Sequence, residues 1–246
     1  MCTVSWFKSS TGYELFFNRD ERIKRADASE PEIYIENGCH FLSPTDTEAG
    51  GSWIAVNQHG LTVCLLNLYS AKDITVRNDY ISRGEIIRSI AGCSTITAAH
   101  NELKEMDLTR YRTFSALAID DQANNLLFIW DGESYIVESN TISPKSSSSV
   151  DSDKVRASRK LIYKKLGLQH STNRQDFLAF QRGHEPNSRY SVCMHDENRK
   201  TVSLSHIVVN DESAKFDYYP GSPCECKLPI SKYISRLNID SQIDVA

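Results

Sequence analysis

The stretch from Cys2 to Glu21 leaves this chain few alternatives at its start. Two runs rich in aromatic and β-branched residues, Cys2-Thr3-Val4-Ser5-Trp6-Phe7 and Tyr13-Glu14-Leu15-Phe16-Phe17, flank the polar cluster Ser9-Ser10-Thr11-Gly12. That pattern is the signature of a β-hairpin. With the cluster at the tip, antiparallel pairing joins residues whose numbers sum to about 21. Cys2 then faces Arg19, and the strand end Asn18-Arg19-Asp20-Glu21 sets an amide, a cation and a carboxylate beside a thiol. Such a grouping reads as a reactive centre. The plain alternative, a chance cysteine next to an ordinary solvated strand end, stays open on these residues alone.

The chemistry of the reactive reading depends on Met1 being removed. Cys2 would then carry both a thiol and an α-amine, whose unperturbed pKa is roughly 8. That amine can take the thiol's proton, directly or through one water, as in nucleophiles built on an N-terminal threonine. Arg19 would favour the thiolate by charge, and Asp20 would hold the ammonium by accepting its hydrogen bonds.

Further motifs follow at Gly50-Gly51-Ser52-Trp53, Gly60 through Asn67, Ser82-Arg83-Gly84-Glu85 and Ser191-Val192-Cys193-Met194-His195. With Met1-Cys2 and Asn18-Arg19-Asp20-Glu21 they make a chain that resembles the NRDE family, also called the transport and Golgi organisation 2 family. More distantly it resembles the cysteine N-terminal nucleophile hydrolases, among them choloylglycine hydrolases, penicillin V acylases and acyl-coenzyme A:isopenicillin N acyltransferases. The resemblance spans most of the chain. It implies a four-layer αββα sandwich and a nucleophile at Cys2, supported by Arg19 and Asp20. It also implies an oxyanion role for Asn67, a substrate-binding position at Ser147 where the related hydrolases carry asparagine, and a second arginine near the nucleophile at Arg189. Asn18 and Gly51 complete the expected substrate contacts. Eukaryotic members of the family are associated with secretory-pathway organisation and with lipid or haem handling. The expected function is therefore an amidohydrolase cleaving a non-peptide carbon–nitrogen bond of a small acylated or lipid-like molecule; the alternative is a non-catalytic binding factor using the same cleft.

Composition narrows the remaining classes. The 246 residues carry 28 Lys+Arg against 32 Asp+Glu, a net charge of −4 with both signs interspersed, which argues against nucleic acid or anionic membrane as the main partner. No apolar run approaches the roughly 20 residues of a membrane-spanning helix. Lys8 and Glu14 break the apolar runs that a signal peptide would need. An odd set of 7 scattered cysteines fits reduced thiols in a cytoplasmic protein better than a disulfide framework. Cys39, Cys64, Cys93 and Cys193 read as core. Cys224-x-Cys226 with Cys193 and His195 can be drawn as a zinc set, but the paired spacing of structural zinc motifs is missing, so neither metal nor cofactor is expected.

Without a linker to divide it, residues 1–246 read as one domain, with 221–246 a tail packed on it or frayed. After the first hairpin, a polar loop over 20–32 would form one wall of a cleft. Trp53–Val56 and Leu61–Leu66 flank the turn Asn57-Gln58-His59-Gly60 and make a second hairpin, in which counting outward from the turn places Asn67 opposite Gly50. Two glycines there would let a substrate approach the backbone. Ser82-x-x-Glu85 has capping-box spacing ahead of a helix, and a second helix runs over 97–106; Arg83 and Arg88 are expected to be solvated. Strands are predicted at 114–119, 126–130 and 134–138, followed by a loop over 139–149. Helices come next, up to Gly167 and after the cap Thr172-x-x-Gln175, then strands at 190–195, 202–209 and 215–219. Hairpin-linked strands with helices arriving in pairs make an α+β protein with helices outside two antiparallel sheets, although periodicity alone admits other α+β arrangements.

Overall fold

A computed structural model describes residues 2–69 and 79–237. Its first two strands, β1 (Cys2–Ser9) and β2 (Gly12–Arg22), pair with Cys2 opposite Arg19 and Ser9 opposite Gly12, the register set by the turn cluster. Within this hairpin the side chains alternate between two apolar environments. Val4, Trp6, Tyr13, Leu15 and Phe17 point into one buried cluster, while Phe7 and Phe16 point into another. A strand pair buried on both faces has to lie inside a sandwich with a layer on either side.

Those layers are two antiparallel sheets with helices outside each. β1 and β2 belong to a 6-stranded sheet ordered β10-β1-β2-β11-β12-β13, where β10 is Lys145–Ser147, β11 Arg199–Val209, β12 Ser213–Pro220 and β13 Ile230–Ser235. The other sheet has 7 strands in sequence order: β3 (Glu32–Glu36), β4 (Cys39–Ser43), β5 (Ile54–Asn57), β6 (Thr62–Asn67), β7 (Phe114–Ile119), β8 (Asn125–Trp130) and β9 (Tyr135–Ser139). Ile54, Val56, Leu117 and Leu127 of this sheet meet Val4, Trp6, Leu15 and Phe17 of the first in the central core. Helices α1 (Gly84–Ala91) and α2 (Ile96–Glu105) cover the outer face of the 7-stranded sheet through Ile86, Ile87, Ile90, Ala99 and Leu103. Helices α3 (Ser152–Lys165) and α4 (Arg174–Arg182) cover the other sheet through Tyr163, Phe177, Leu178 and Phe180. This is the αββα arrangement expected from the sequence.

Several local expectations need correction. The β5–β6 register pairs Ile54 with Cys64 and Val56 with Thr62, one residue away from the count that set Asn67 against Gly50. Asn67 pairs instead with Phe114 of β7. The 32–43 segment, for which the sequence reading named no element, is a hairpin turning at Asn37 and Gly38, both with positive φ (51° and 75°); this is the Asn-Gly turn that favours two-residue hairpins. Residues 190–195 are not a strand: apart from a bridge between His195 and Lys200 they run irregularly before β11. The 139–149 loop contains β10, and the tail contains β13, which pairs with β12. Ser82 does not close a capping box; its hydroxyl accepts from the Gly84 N–H, and Arg83 occupies the cap position. On α4 the cap is Asn173, whose side chain accepts from Gln175 N–H, rather than Thr172. Arg83 and Arg88 are not left to solvent: Arg83 donates to the Thr113 carbonyl and Arg88 to the Thr45 hydroxyl. All 7 cysteines are unpaired thiols, with Cys93 only half-buried. No helix among the described residues is long and apolar enough to cross a membrane.

Candidate active site

Cys2 sits in β1 between two partners, Arg19 on β2 and Ser147 on β10. Directly opposed residues of antiparallel strands project to the same face, so the thiol shares its side of the sheet with a guanidinium and a hydroxyl. It opens on a cavity of about 420 Å³ whose lining includes Arg19, Asp20, Asp46, Gly51, Trp53 and Asn67. Met1, on whose removal the α-amine depends, lies outside the described residues.

Arg19 is buried, and two contacts fix it. Its guanidinium stacks over Trp53, 4.2 Å from the ring centroid, and donates to the Asp46 carboxylate. Asp46 is held in turn by Arg25, through contacts of 2.9 and 3.0 Å, and by the backbone N–H groups of Glu48 and Ala49. Burial pushes the Asp46 carboxyl up, but Arg25 and Arg19 outweigh it and hold the group below its ordinary range. The Arg19 charge that faces the sulfur is thus shared with Asp46. At Cys2 burial dominates and raises the thiol; Asp20 adds to the rise, while the Asp20 backbone N–H and then Arg19 oppose it. Arg19 favours the thiolate, in the direction expected, but burial outweighs it and the thiol stands above its ordinary value.

Asp20 borders the same cavity, and its carboxylate is held by neighbours on β11 and α3. One carboxylate oxygen accepts from the Thr201 hydroxyl (2.7 Å) and the other from Arg159 of α3 (3.1 Å), an ion pair with both side chains fully buried. Arg159 also donates to the Thr3 hydroxyl, so one guanidinium ties together the two strands that carry Cys2 and Arg19. A buried pair of this kind is costly to break from one side, because the remaining charge is stranded.

Asn67 ends β6, and its amide donates to the Tyr69 hydroxyl at 3.1 Å. It borders the cavity at Cys2 and also a second one of about 390 Å³, lined by Leu66, Leu127, Ile129, Ile142, Lys145 and Ser147 among others. The Ser147 hydroxyl is buried and has no hydrogen-bond partner among the described residues. Cys2, Arg19, Asp20, Gly51 and Asn67 thus meet around one cavity, with Ser147 on the adjoining strand.

Two expected substrate contacts lie elsewhere. Asn18 is fully buried on the helix side of β2, where its amide donates to the carbonyls of Gln181 and Val192. Arg189 is half-buried and faces Asp196 at 3.8 Å, with no place in the lining of the Cys2 cavity. Gly51 does line the cavity, but its bare Cα serves packing: a Cβ there would lie 2.6 Å from the Gly84 backbone. Asp46, Tyr69 and Arg159 are the residues that sequence reasoning missed. For Arg159 a signal existed, a cation on the buried stripe Val155-Arg159-Tyr163 of α3. Outside the cavity, His184, Cys193, His195 and Cys224 bring potential metal-ligating atoms within 4.8 Å of one another.

Comparison with known proteins places this geometry. The family model described as Transport and Golgi organisation 2 matches residues 1–222. No curated protein matches the chain in sequence. Among solved structures, the N-acylethanolamine-hydrolyzing acid amidase ortholog of Caenorhabditis elegans superposes with a TM-score of 0.59 at 12% identity, over 85% of this chain and 92% of that one. Penicillin V acylase from Agrobacterium tumefaciens gives 0.56 at 8% identity, covering 96% and 86%. A mutant conjugated bile acid hydrolase from Clostridium perfringens gives 0.53 at 12% identity, covering 97% of each. At these identities the likeness is one of fold.

Proposed function

The chain belongs to the Transport and Golgi organisation 2 family, and from that premise we propose that it is an amidohydrolase using Cys2 as an N-terminal nucleophile on a small acylated amine. The observation that carries this reading is the meeting of two cavities at Asn67, one polar and holding Cys2, the other with an apolar wall of Leu66, Leu127 and Ile129. An acyl chain fits the apolar side and a polar amine the other, which brings the scissile carbonyl to the junction. The structural neighbours named as amidase, acylase and bile acid hydrolase support an acyl-amide substrate class.

Once Met1 is removed, the Cys2 amine takes the thiol proton and the sulfur adds to the carbonyl carbon. The Asn67 amide and the Ser147 hydroxyl donate to the oxyanion that forms; one such donor is worth about 10²- to 10³-fold in rate. The ammonium then protonates the leaving nitrogen as the carbon–nitrogen bond breaks. Water, deprotonated by the same amine, releases the acyl group from the thioester and restores the thiol. Asp20, held by Arg159 and Thr201, keeps the strand end and its charge in place.

The test uses full-length protein and an acyl amide bearing a thiol-reactive group. Intact mass should reveal loss of Met1 and saturable, stoichiometric labelling that maps to Cys2 and disappears in Cys2→Ser. Protein that retains Met1 in full would end the catalytic reading. A second reading, ligand binding without turnover in lipid or haem handling, is favoured by the raised Cys2 thiol and by the Arg19–Asp46 pair. Reversible binding that survives Cys2→Ala, with no covalent label, would establish it instead.

A further inference from the structure

We propose that His184, Cys193, His195 and Cys224 form a four-coordinate zinc site that staples the C-terminal turn to the body of the protein. The four side chains come from three separate segments. His184 follows α4 and Gly183, Cys193 and His195 lie in the irregular stretch before β11, and Cys224 lies in the turn after β12. Their candidate ligand atoms all fall within 4.8 Å of one another. His195 Nε2 is 3.6 Å from the Cys193 sulfur and 3.4 Å from the Cys224 sulfur. A tetrahedron with Zn–S of about 2.3 Å and Zn–N of about 2.0–2.1 Å has a sulfur–nitrogen edge of about 3.5 Å. The two His195–sulfur edges already match such a tetrahedron, and the other candidate atoms, within 4.8 Å, need only small side-chain movements to complete it.

The surroundings agree with that geometry. His184 Nδ1 lies 3.1 Å from the Cys193 carbonyl. Donation from Nδ1–H to that oxygen fixes the tautomer and leaves the Nε2 lone pair for a metal, the outer-shell arrangement usual for ligating histidines. The two imidazoles are tilted at 42° with centroids 5.1 Å apart, as two rings converging on one point would be. Cys193 is buried, Cys224 half-buried and both histidines exposed, so an ion can enter from solvent. Two thiols with two imidazoles select zinc over the oxygen-seeking magnesium and calcium, and binding would release the two thiol protons to water. With four protein ligands the site has no open position, which marks it as structural.

The ion would fasten a region that reaches the active site. The Met194 N–H, between the two ligands Cys193 and His195, donates to the Thr201 hydroxyl, and that hydroxyl donates to Asp20. The sequence reading set this group aside because it looked for paired spacing along the chain, whereas the set is assembled across segments. Cys226, the other half of Cys-x-Cys, turns its sulfur to the Leu228 carbonyl and takes no part.

Full-length protein purified under reducing conditions without chelator should contain about one zinc per chain by elemental analysis. Replacement by cobalt(II) should give the intense visible bands and thiolate charge transfer of tetrahedral sulfur coordination. Cys224→Ser should lose the metal, and Cys2→Ser should keep it. Protein that neither retains zinc nor takes it up when zinc is supplied overturns the proposal, as does an octahedral cobalt spectrum. So does a Cys224→Ser variant with undiminished metal. Should that variant fail to fold, the cobalt spectrum of the unaltered protein decides alone.

Discussion

At the scale of single residues, protonation governs what Cys2 can do. Burial raises the thiol, and the nearest cation, Arg19, is paired with Asp46. A nucleophile of this kind reacts through the fraction of enzyme in which its base is free. The α-amine, with an unperturbed pKa of roughly 8, loses its proton as pH rises. Labelling of Cys2 by an acyl-amide probe should therefore climb between about pH 6 and pH 9 and then level off. A rate flat across that range would mean a thiolate formed in advance. What the sequence made legible here was the Cys2–Arg19 pair, because turn chemistry fixed the register. Asp46 and Arg159 were not legible, since their partners lie far off in sequence and only the packing of a loop and of α3 brings them in. Asn18 misled for a related reason: beside Arg19 in sequence, it points to the opposite face of the strand.

Among the elements, α1 is seated in direct backbone contact with the segment before β5. Gly84, at its first turn, lies directly against the Gly51-Ser52 backbone, where a Cβ would come within 2.6 Å of the Ser52 nitrogen. Helix propensity alone favours Gly84→Ala by up to about 1 kcal/mol. Here the obstructing atoms are backbone and cannot rotate away, and overpacking of this kind costs about 1–3 kcal/mol. Gly84→Ala should therefore destabilise the protein in denaturant titration and weaken ligand binding in the cleft that Gly51 and Gly84 both line; a gain in stability would refute the close contact. Elements with strong local signals were readable, such as β7 and α2, whose alternation and helical spacing decide their form. β10 was not, because Lys145-Ser146-Ser147 has no strand propensity of its own and is drawn extended by pairing with β1; β13, Ile230–Ser235, lay in a tail read as packed or frayed although its Ile and Tyr residues suit a strand. The Asn37-Gly38 hairpin carried a clear turn signal that the reading passed over.

For the molecule as a whole, a polar seam binds the 6-stranded sheet across its width. Asp217 on β12 accepts from Ser231 of β13 and from Lys215 (2.8 Å) and faces His206 of β11 at 3.6 Å. His206 also meets Glu14 of β2, which pairs with Arg174 of α4. Burial would raise the Asp217 carboxyl, but the bonds from His206, Lys215 and Ser231 outweigh it and bring the pKa from 3.8 to about 2. A carboxylate with a lowered folded-state pKa stabilises above its unfolded value and loses that contribution as pH falls through the folded one. About 2 kcal/mol should thus disappear between pH 4 and pH 2. Denaturant unfolding of Asp217→Asn, compared with the unaltered protein, should reveal a deficit at pH 5 that shrinks toward pH 2.

The position of β1, held between β2 and β10, has a consequence for biosynthesis. The hairpin that carries Cys2 leaves the ribosome well before its two flanking strands, at 145–147 and 199–209. In the interval it presents two unsatisfied edges, the kind that invite pairing with other chains. The nascent polypeptide therefore carries Cys2 in an unfinished setting until those strands are made, and chaperone occupancy of that hairpin should rise when elongation is slowed before residue 199.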